Sequence, residues 1–131
     1  MPNSTSTPSP SHRLQRVIIA DDMPQVREGL SLLLQLTGEL EVVGEASNGP
    51  EAIQQAEALH PDVMVVDLKM PGMDGCQVTR VIKDRGLAAR VIILSIHADP
   101  ADIERALKAG AEAYIQKGAD LSILVRAITG S

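Results

Sequence analysis

Five polar residues follow four of the short apolar runs in this sequence, and their types could carry out phosphoryl chemistry. They are Asp21, Asp22, Asp67, Ser95 and Lys117. Three carboxylates brought together repel one another, so their pKa values would rise unless a cation lay among them. Because the possible ligands are all oxygen atoms, the sequence favours Mg²⁺ over zinc at such a cluster.

A magnesium ion usually keeps several waters and takes only a couple of carboxylates together with phosphate oxygens. One carboxylate of the cluster could then act as a nucleophile, and a carboxylate that attacks phosphorus forms an aspartyl phosphate. The metal, Lys117 and Ser95 would offset the charge of the transferring phosphoryl group. A single aspartate after a strand is weak evidence, because turn-forming residues are common there. The hypothesis of phosphoryl chemistry therefore depends on all five polar residues occurring together at the strand ends.

The elements that must position these residues are short apolar runs that alternate with segments of helical periodicity. The runs lie at 17–20, 42–44, 63–66, 91–94 and 113–115. Because they are rich in β-branched residues and do not alternate with polar ones, they predict strands buried on both faces. Strands alternating with helices indicate a parallel sheet covered by helices on both faces. Ligands of such sheets bind at the carboxyl ends of the strands, where the five polar residues would meet.

Each intervening segment carries an apolar stripe that is expected to face the core. The stripes are Val26, Leu30, Leu33 and Leu34; Ala52, Ile53, Ala56 and Leu59; Val78, Val81 and Ile82; Ile103, Ala106 and Leu107; and Leu121, Leu124, Val125 and Ile128. Pro24 suits a first helical turn, Asp74 is a candidate N-cap, and Gly110 is a candidate helix end.

Composition restricts the class of protein further. The first 11 residues contain little besides Ser, Thr and Pro, so we expect a disordered tail over 1–13 and one domain over 14–131. The net charge of −5 argues against non-specific nucleic-acid binding by this chain. One cysteine excludes an internal disulfide. The apolar runs are far shorter than the ~20 residues that span a bilayer.

Four motifs together resemble the receiver domain of two-component response regulators, over residues 14–129. The motifs are VIIADDMPQVREGL, VMVVDLKMPGMDG, VIILSIHAD and AGAEAYIQKG. The segment ALKAGAEAYIQK is most similar to receivers of the NarL/FixJ transcription-factor class. This resemblance implies a flavodoxin-like (βα)5 fold, a doubly wound α/β domain whose parallel five-stranded sheet has the strand order 2-1-3-4-5.

The resemblance also implies roles for individual residues. Asp67 is expected to be the phosphoacceptor and a Mg²⁺ ligand. Asp22 is expected to be a direct ligand, Asp21 to act through water, and Lys69 to contribute its backbone carbonyl. Lys117 is expected to pair with the phosphoryl group.

Further positions are assigned by the same resemblance. Ser95 is expected to be the switch hydroxyl and Tyr114 the aromatic switch residue. Lys69 and His97 lie two residues beyond Asp67 and Ser95, and are expected to modulate the lifetime of the phosphoryl group. Many receivers have a proline after the lysine, with a cis peptide bond. Gly118 stands here instead, so a cis bond is not implied.

The partners implied are a histidine kinase or phosphotransfer protein, with homodimerisation possible on phosphorylation. A cytoplasmic location without membrane association is expected. Regulators of this class continue into a DNA-binding domain, whereas this sequence ends at Thr129-Gly130-Ser131. The chain is therefore either a stand-alone receiver or, as we favour, a fragment cut within its last helix. Transcriptional output would then reside in the absent domain.

Two other functions are compatible with a strand–helix alternation of this kind. An aspartate-nucleophile phosphohydrolase usually has Asp-x-Asp after the strand, whereas Lys69 stands two residues after Asp67. A flavin-binding electron carrier offers hydroxyls and amides to a phosphate in its first loop, whereas Asp21 and Asp22 would repel one. A receiver that acts only as a binding module would lack one of the acids or the lysine.

Some apolar residues exceed what the predicted core requires. Leu32 and Leu36 flank the stripe of the first helix, and Ile123 is similarly placed on the last. They are either ordinary exposed apolar residues or a contact patch for a kinase domain, a second receiver or an output domain.

Overall fold

A computed structural model describes residues 13–130 and contains the predicted alternation of five strands and five helices. The strands are β1 (Gln15–Ala20), β2 (Leu40–Ala46), β3 (Val63–Asp67), β4 (Arg90–Ser95) and β5 (Ala113–Gln116). The helices are α1 (Pro24–Leu36), α2 (Gly49–Leu59), α3 (Gly75–Arg85), α4 (Pro100–Ala109) and α5 (Leu121–Thr129). Of the tail expected over 1–13, residues 1–12 lie outside the described part of the chain.

The strands form one parallel sheet in the order β2-β1-β3-β4-β5, which confirms the predicted fold class and strand order. Ala20 at the end of β1 pairs with Val66 of β3, and Asp67 pairs with Leu94 of β4. Because all the strands run in one direction, the polar residues that follow them emerge at the same edge of the sheet.

Alternate strand residues supply two apolar layers, one on each face of the sheet. Val17 and Ile19 of β1 pack in the layer covered by α1 and α5, whereas Ile18 and Ala20 pack in the layer that contains α2 and α3. Every residue of β3 is buried. The central strands therefore have the two buried faces that their continuous apolar runs predicted.

Two helical stripes differ from the expectation. Leu33 and Val26 of α1 were expected to face the core but are 52% and 37% exposed, and Leu107 of α4 is 52% exposed as well. The fully covered positions of α1 are Ser31 and Leu34, which places Leu33 off the inward line. Helical periodicity identifies an apolar side of a helix, but the neighbouring elements decide how much of that side is covered.

The displaced side chain of Leu33 lines an apolar groove between α1 and the start of α5. The groove has a volume of about 270 Å³, and Val26, Leu121 and Leu124 also contribute to it. On α4, by contrast, the buried residues are Ala106 and Ala109. These small side chains cover the sheet on their own, and Leu107 is left in solvent.

Candidate functional site

Three carboxylates meet at the carboxyl edge of the sheet, as the spacing predicted. One oxygen each from Asp21, Asp22 and Asp67 lie within 4.8 Å of one another. Asp21 and Asp67 are buried, whereas Asp22 is half-buried. Since the ligand atoms are carboxylate oxygens at short mutual distances, the cluster suits a hard divalent cation.

Lys117 joins this cluster from the loop after β5. Its Nζ lies 3.0 Å from Oδ2 of Asp21 and 3.3 Å from Oδ1 of Asp67. A single ammonium therefore faces two buried carboxylates, with the carboxylate of Asp22 close by. When all four groups are ionised, the negative charges outnumber the positive one, so the edge attracts a further cation.

Burial raises the pKa of Asp67 above its ordinary value, and the neighbouring charge of Asp21 adds to the rise. The charge of Lys117 opposes this shift without cancelling it. For Lys117, burial works to lower the pKa, but the hydrogen bond to Asp21 and the charge of Asp67 outweigh burial and raise it. Lys117 therefore stays charged, and the ionised Asp67 carries a desolvation cost that a bound cation would relieve.

The turn after β3 fixes the position of Asp67 through backbone contacts. The N–H of Leu68 donates to the carbonyl of Leu94 at 2.8 Å, and the N–H of Gly75 donates to the carbonyl of Leu68 at 2.9 Å. A Cβ atom on Gly75 would lie only 2.7 Å from the carbonyl oxygen of Asp67, so a glycine is needed where α3 begins. Asp74 caps α3 in a capping box, as its sequence position predicted.

The loop after β1 is fixed in a similar way. The N–H of Asp21 donates to the carbonyl of Ala46 at 3.0 Å, and the N–H of Met23 donates to Oδ1 of Asp21 at 2.9 Å. A residue that the sequence analysis did not single out also reaches this loop, since Arg27 donates to the carbonyl of Asp21 at 2.8 Å. Its acceptor is a backbone atom, which no residue spacing reveals.

Residues 17–129 match the family model described as "Response regulator receiver domain". The chain belongs to this family. Among curated relatives, it is 36% identical over 112 residues to the nitrate/nitrite response regulator protein NarL of Escherichia coli. It is 39% identical over 113 residues to the transcriptional regulatory protein LnrK of Bacillus subtilis. Each match covers 86% of this chain, and it covers 52% of NarL and 51% of LnrK.

The receiver domain therefore spans about half the length of the curated relatives it matches. Two solved structures show the same architecture. One is a DNA-binding response regulator of the LuxR family from Staphylococcus aureus, with a TM-score of 0.83 and 31% identity, covering 89% of this chain and 98% of that one. The other is FixJ-N, with a TM-score of 0.80 and 28% identity, covering 88% and 91% respectively.

Family membership makes this a signalling domain and does not favour the phosphohydrolase and flavin-carrier alternatives. No helix between residues 13 and 130 of the receiver domain is long and apolar enough to cross a membrane. The acidic residues and the lysine that a binding-only receiver would lack are present and lie together.

The two predicted switch residues of the receiver domain contact the same residue, His97. The buried Ser95 Oγ accepts a hydrogen bond from the N–H of His97 at 3.2 Å, and the hydroxyl of Tyr114 donates to the carbonyl of His97 at 2.7 Å. The hydroxyl groups of Ser95 and Tyr114 are therefore connected through the backbone of one residue.

The two residues expected to modulate phosphoryl lifetime lie at the rim of the site. The backbone N–H of Lys69 works to lower the pKa of Asp67, against the effect of burial. The ammonium of Lys69 extends towards α4, where Nζ lies 3.9 Å from Oδ2 of Asp102. The side chain of His97 is exposed. Both side chains are therefore in contact with solvent.

The peptide bond between Lys117 and Gly118 is trans, and no cis peptide bond occurs within residues 13–130. Gly118 has a φ of +92°, a conformation that favours glycine. The turn after Lys117 is therefore made by a glycine in the left-handed region of backbone conformation.

Proposed function

We propose that this receiver domain accepts a phosphoryl group on Asp67 from a phosphohistidine of a histidine kinase or phosphotransfer protein. The observation that carries the proposal is the grouping of Asp67, Asp21 and Asp22 within 4.8 Å, with the ammonium of Lys117 3.3 Å from Asp67. Asp21 also contacts Lys117, and we assign Asp67 as the acceptor because it lies in the motif VMVVDLKMPGMDG, which resembles the phosphoacceptor motif of the family.

The residues at this edge fit a magnesium ion, because their donor atoms are all carboxylate or carbonyl oxygens. Asp22 and Asp67 would hold the ion directly, with the backbone carbonyl of Lys69, and Asp21 would act through water. When bound, Mg²⁺ would neutralise charge on the oxygens of the phosphoryl group. The excess of carboxylates over cations at the edge supports this assignment.

In the transfer itself, a carboxylate oxygen of Asp67 forms a bond to phosphorus while the N–P bond of the donor breaks. The electron pair of that bond returns to the histidine nitrogen. Lys117 stays charged throughout and offsets the charge of the phosphoryl oxygens. The domain thus catalyses only its own phosphorylation and dephosphorylation, and we expect no turnover of small phosphate esters.

Phosphorylation then acts as a switch. The Ser95 hydroxyl turns towards the phosphoryl group. The hydrogen bond that it accepts from the N–H of His97 at 3.2 Å in this structure then breaks. Because Tyr114 donates to the carbonyl of the same residue, its side chain follows. The surface formed by α4, β5 and α5 then changes its partner preference, and a homodimer is one product of that change.

In the intact protein, we propose that this switch controls transcription through a DNA-binding domain outside this sequence, in the cytoplasm. The support is the relatives NarL and LnrK, which are named as regulators and of which the chain covers about half. With a net charge of −5, the 131-residue chain alone should bind no DNA.

The proposed phosphoacceptor can be tested by intact-mass analysis after incubation with acetyl phosphate and Mg²⁺. The wild-type chain should gain one phosphate, and Asp67→Asn should gain none. Asp62→Asn is a matched control, because Asp62 immediately precedes the strand that Asp67 ends, and it should gain one phosphate. A stable single phosphate on the Asp67→Asn chain would refute the assignment.

A further inference from the structure

Arg27 of α1 bridges two elements beside the acidic cluster. Its Nη1 donates to the backbone carbonyl of Asp21 at 2.8 Å, and its Nε donates to Oε1 of Glu45 at 3.1 Å. The Arg27 side chain is only 14% exposed. One half-buried guanidinium therefore connects the loop after β1 to strand β2.

Arg27 is the hydrogen-bond donor to the backbone carbonyl of Asp21, and the other polar groups of Asp21 have different partners. Its N–H donates to Ala46, Oδ1 accepts from Met23, and Oδ2 faces Lys117. The carbonyl of Asp21 belongs to the peptide unit that leads into Asp22. Arg27 therefore sets the orientation of the peptide from which Asp22 projects.

Asp22 depends on that orientation more than Asp21 does. Within residues 13–130, no hydrogen bond or ion pair of its own holds the Asp22 carboxylate in place. The direction of this carboxylate is therefore determined mainly by its backbone. The hydrogen bond from Arg27 holds the peptide that precedes Asp22, and this contact can direct the Asp22 carboxylate towards Asp67.

We infer that Arg27 is a positioning residue for the cation site: by anchoring the Asp21 carbonyl to Glu45 of β2, it aims the Asp22 carboxylate at the cluster. This inference depends on the proposed function, because it assumes that Mg²⁺ binds there. Arg27 is assigned a supporting role because its hydrogen bonds are to the Asp21 carbonyl and to Glu45.

Charge and position make opposite predictions for this residue. A cation beside the acids repels Mg²⁺, so an effect of charge alone would make Mg²⁺ bind more tightly once Arg27 is neutralised. Loss of positioning would instead weaken binding. Lysine separates the two effects, because it keeps the charge but lacks the planar fork that contacts a carbonyl and a carboxylate together.

The test is calorimetric titration of the full 131-residue chain with Mg²⁺ for the wild type, Arg27→Lys and Arg27→Met. Outer-shell support of a metal ligand is typically worth 10-fold to 100-fold in affinity, so both substitutions should raise the Kd for Mg²⁺ by about tenfold. Arg85→Met is the matched control. It removes another Arg–Glu pair, 3.3 Å from Glu57 and remote from this edge, and should leave the Kd unchanged.

Thermal unfolding in EDTA gives the fraction folded at the titration temperature, so a raised Kd counts only for a folded variant. An Arg27→Lys chain that binds Mg²⁺ like the wild type would overturn the inference, whether or not Arg27→Met folds. Tighter binding by Arg27→Met would overturn it as well. If the wild type binds no Mg²⁺, the proposed function itself fails, which is a different result from normal binding by Arg27→Lys.

Discussion

At the amino edge of the sheet, two carboxylates accept backbone hydrogen bonds from neighbouring strands. Asp62 precedes β3 and accepts from the N–H of Arg16 in β1, and Glu112 precedes β5 and accepts from the N–H of Val91 in β4, both at 2.8 Å. At the carboxyl edge, by contrast, Asp21 and Asp67 share the single ammonium of Lys117. Carboxylates therefore bind backbone N–H groups at the amino edge and accumulate negative charge at the carboxyl edge.

The cations follow the same division. At the amino edge each acid has its own partner, with Arg13 3.3 Å from Asp62 and Lys83 2.6 Å from Glu112. At the carboxyl edge, Asp21 and Asp67 share one ammonium, and the carboxylate of Asp22 beside them has no ion pair within residues 13–130. Carboxylates whose hydrogen bonds and charge are satisfied within the chain stabilise the fold. Those left with excess charge are available for a cation and a phosphoryl group.

The largest predicted difference between the edges is in metal affinity. Asp22→Ala removes a proposed direct ligand and should raise the Kd for Mg²⁺ by more than about 100-fold, beyond the effect of losing an outer-shell contact. Asp62→Ala should leave the Kd unchanged but lower the free energy of unfolding by about 1–3 kcal/mol, because the N–H of Arg16 loses its acceptor.

Calorimetric titration measures the Kd for Mg²⁺ of both variants, and denaturant unfolding measures their free energies of unfolding. The distinction between the edges fails if Asp22→Ala binds Mg²⁺ normally, or if Asp62→Ala loses metal affinity while it remains folded.

The next difference is in stability without metal. Because burial raises the pKa of Asp67, its ionised form destabilises the metal-free fold, and Asp67→Asn should raise the melting temperature by about 3 °C in EDTA at pH 7. In the folded wild type, Asp67 binds a proton as the pH falls through its raised pKa, which removes the cost of burying its charge. The difference in melting temperature between Asp67→Asn and the wild type therefore becomes smaller at lower pH. At the amino edge, Glu112→Gln should be destabilising.

Differential scanning calorimetry over a pH series measures both changes. A metal-free Asp67→Asn chain that melts below the wild type at pH 7 would contradict the assigned cost of burying this carboxylate. So would a difference in melting temperature that grows as the solution is made more acidic.

The smallest predicted effects concern the rim of the carboxyl edge. Lys69→Ala should shorten the lifetime of phospho-Asp67, because a long cation near the site hinders the attacking water. His97→Ala should change this lifetime as well, because the exposed His97 side chain lies two residues beyond Ser95. Lys108→Ala is the control, since Lys69 and Lys108 have similarly exposed side chains, at 66% and 72%, and Lys108 lies on α4.

These lifetimes follow from the decay of the phosphorylated mass after the donor is removed. If the curves of all three variants superimpose on the wild type, the rim residues do not control hydrolysis.

The carboxyl edge could be predicted from sequence because a parallel sheet brings residues from distant strand ends together. Asp21 and Lys117 are 96 positions apart, yet both directly follow the ends of strands. The joining of Ser95 and Tyr114 through the backbone of His97 could not be predicted, because backbone acceptors leave no pattern in the sequence.

Other features depended on tertiary packing in the same way. Arg27 was missed because one acceptor is a carbonyl and the other, Glu45, lies 18 residues away on β2. The hydrogen bonds of Asp62 and Glu112 at the amino edge could not be predicted either, because ordinary surface residues also occupy positions just before strands. Leu33 and Leu107 were wrongly expected to be buried because periodicity does not report the size of the covering neighbour.

The most direct test of the difference between the edges is the amide NMR spectrum of uniformly ¹⁵N-labelled chain during titration with Mg²⁺ and then with the phosphate mimic beryllofluoride. We predict that Mg²⁺ shifts the resonances of Asp21, Asp22, Asp67 and Lys69, and that beryllofluoride extends the changes to Ser95 and Tyr114. The amides of Arg16 and Val91 at the amino edge should stay in place. Shifts confined to the amino edge, or a spectrum that neither addition alters, would contradict the account.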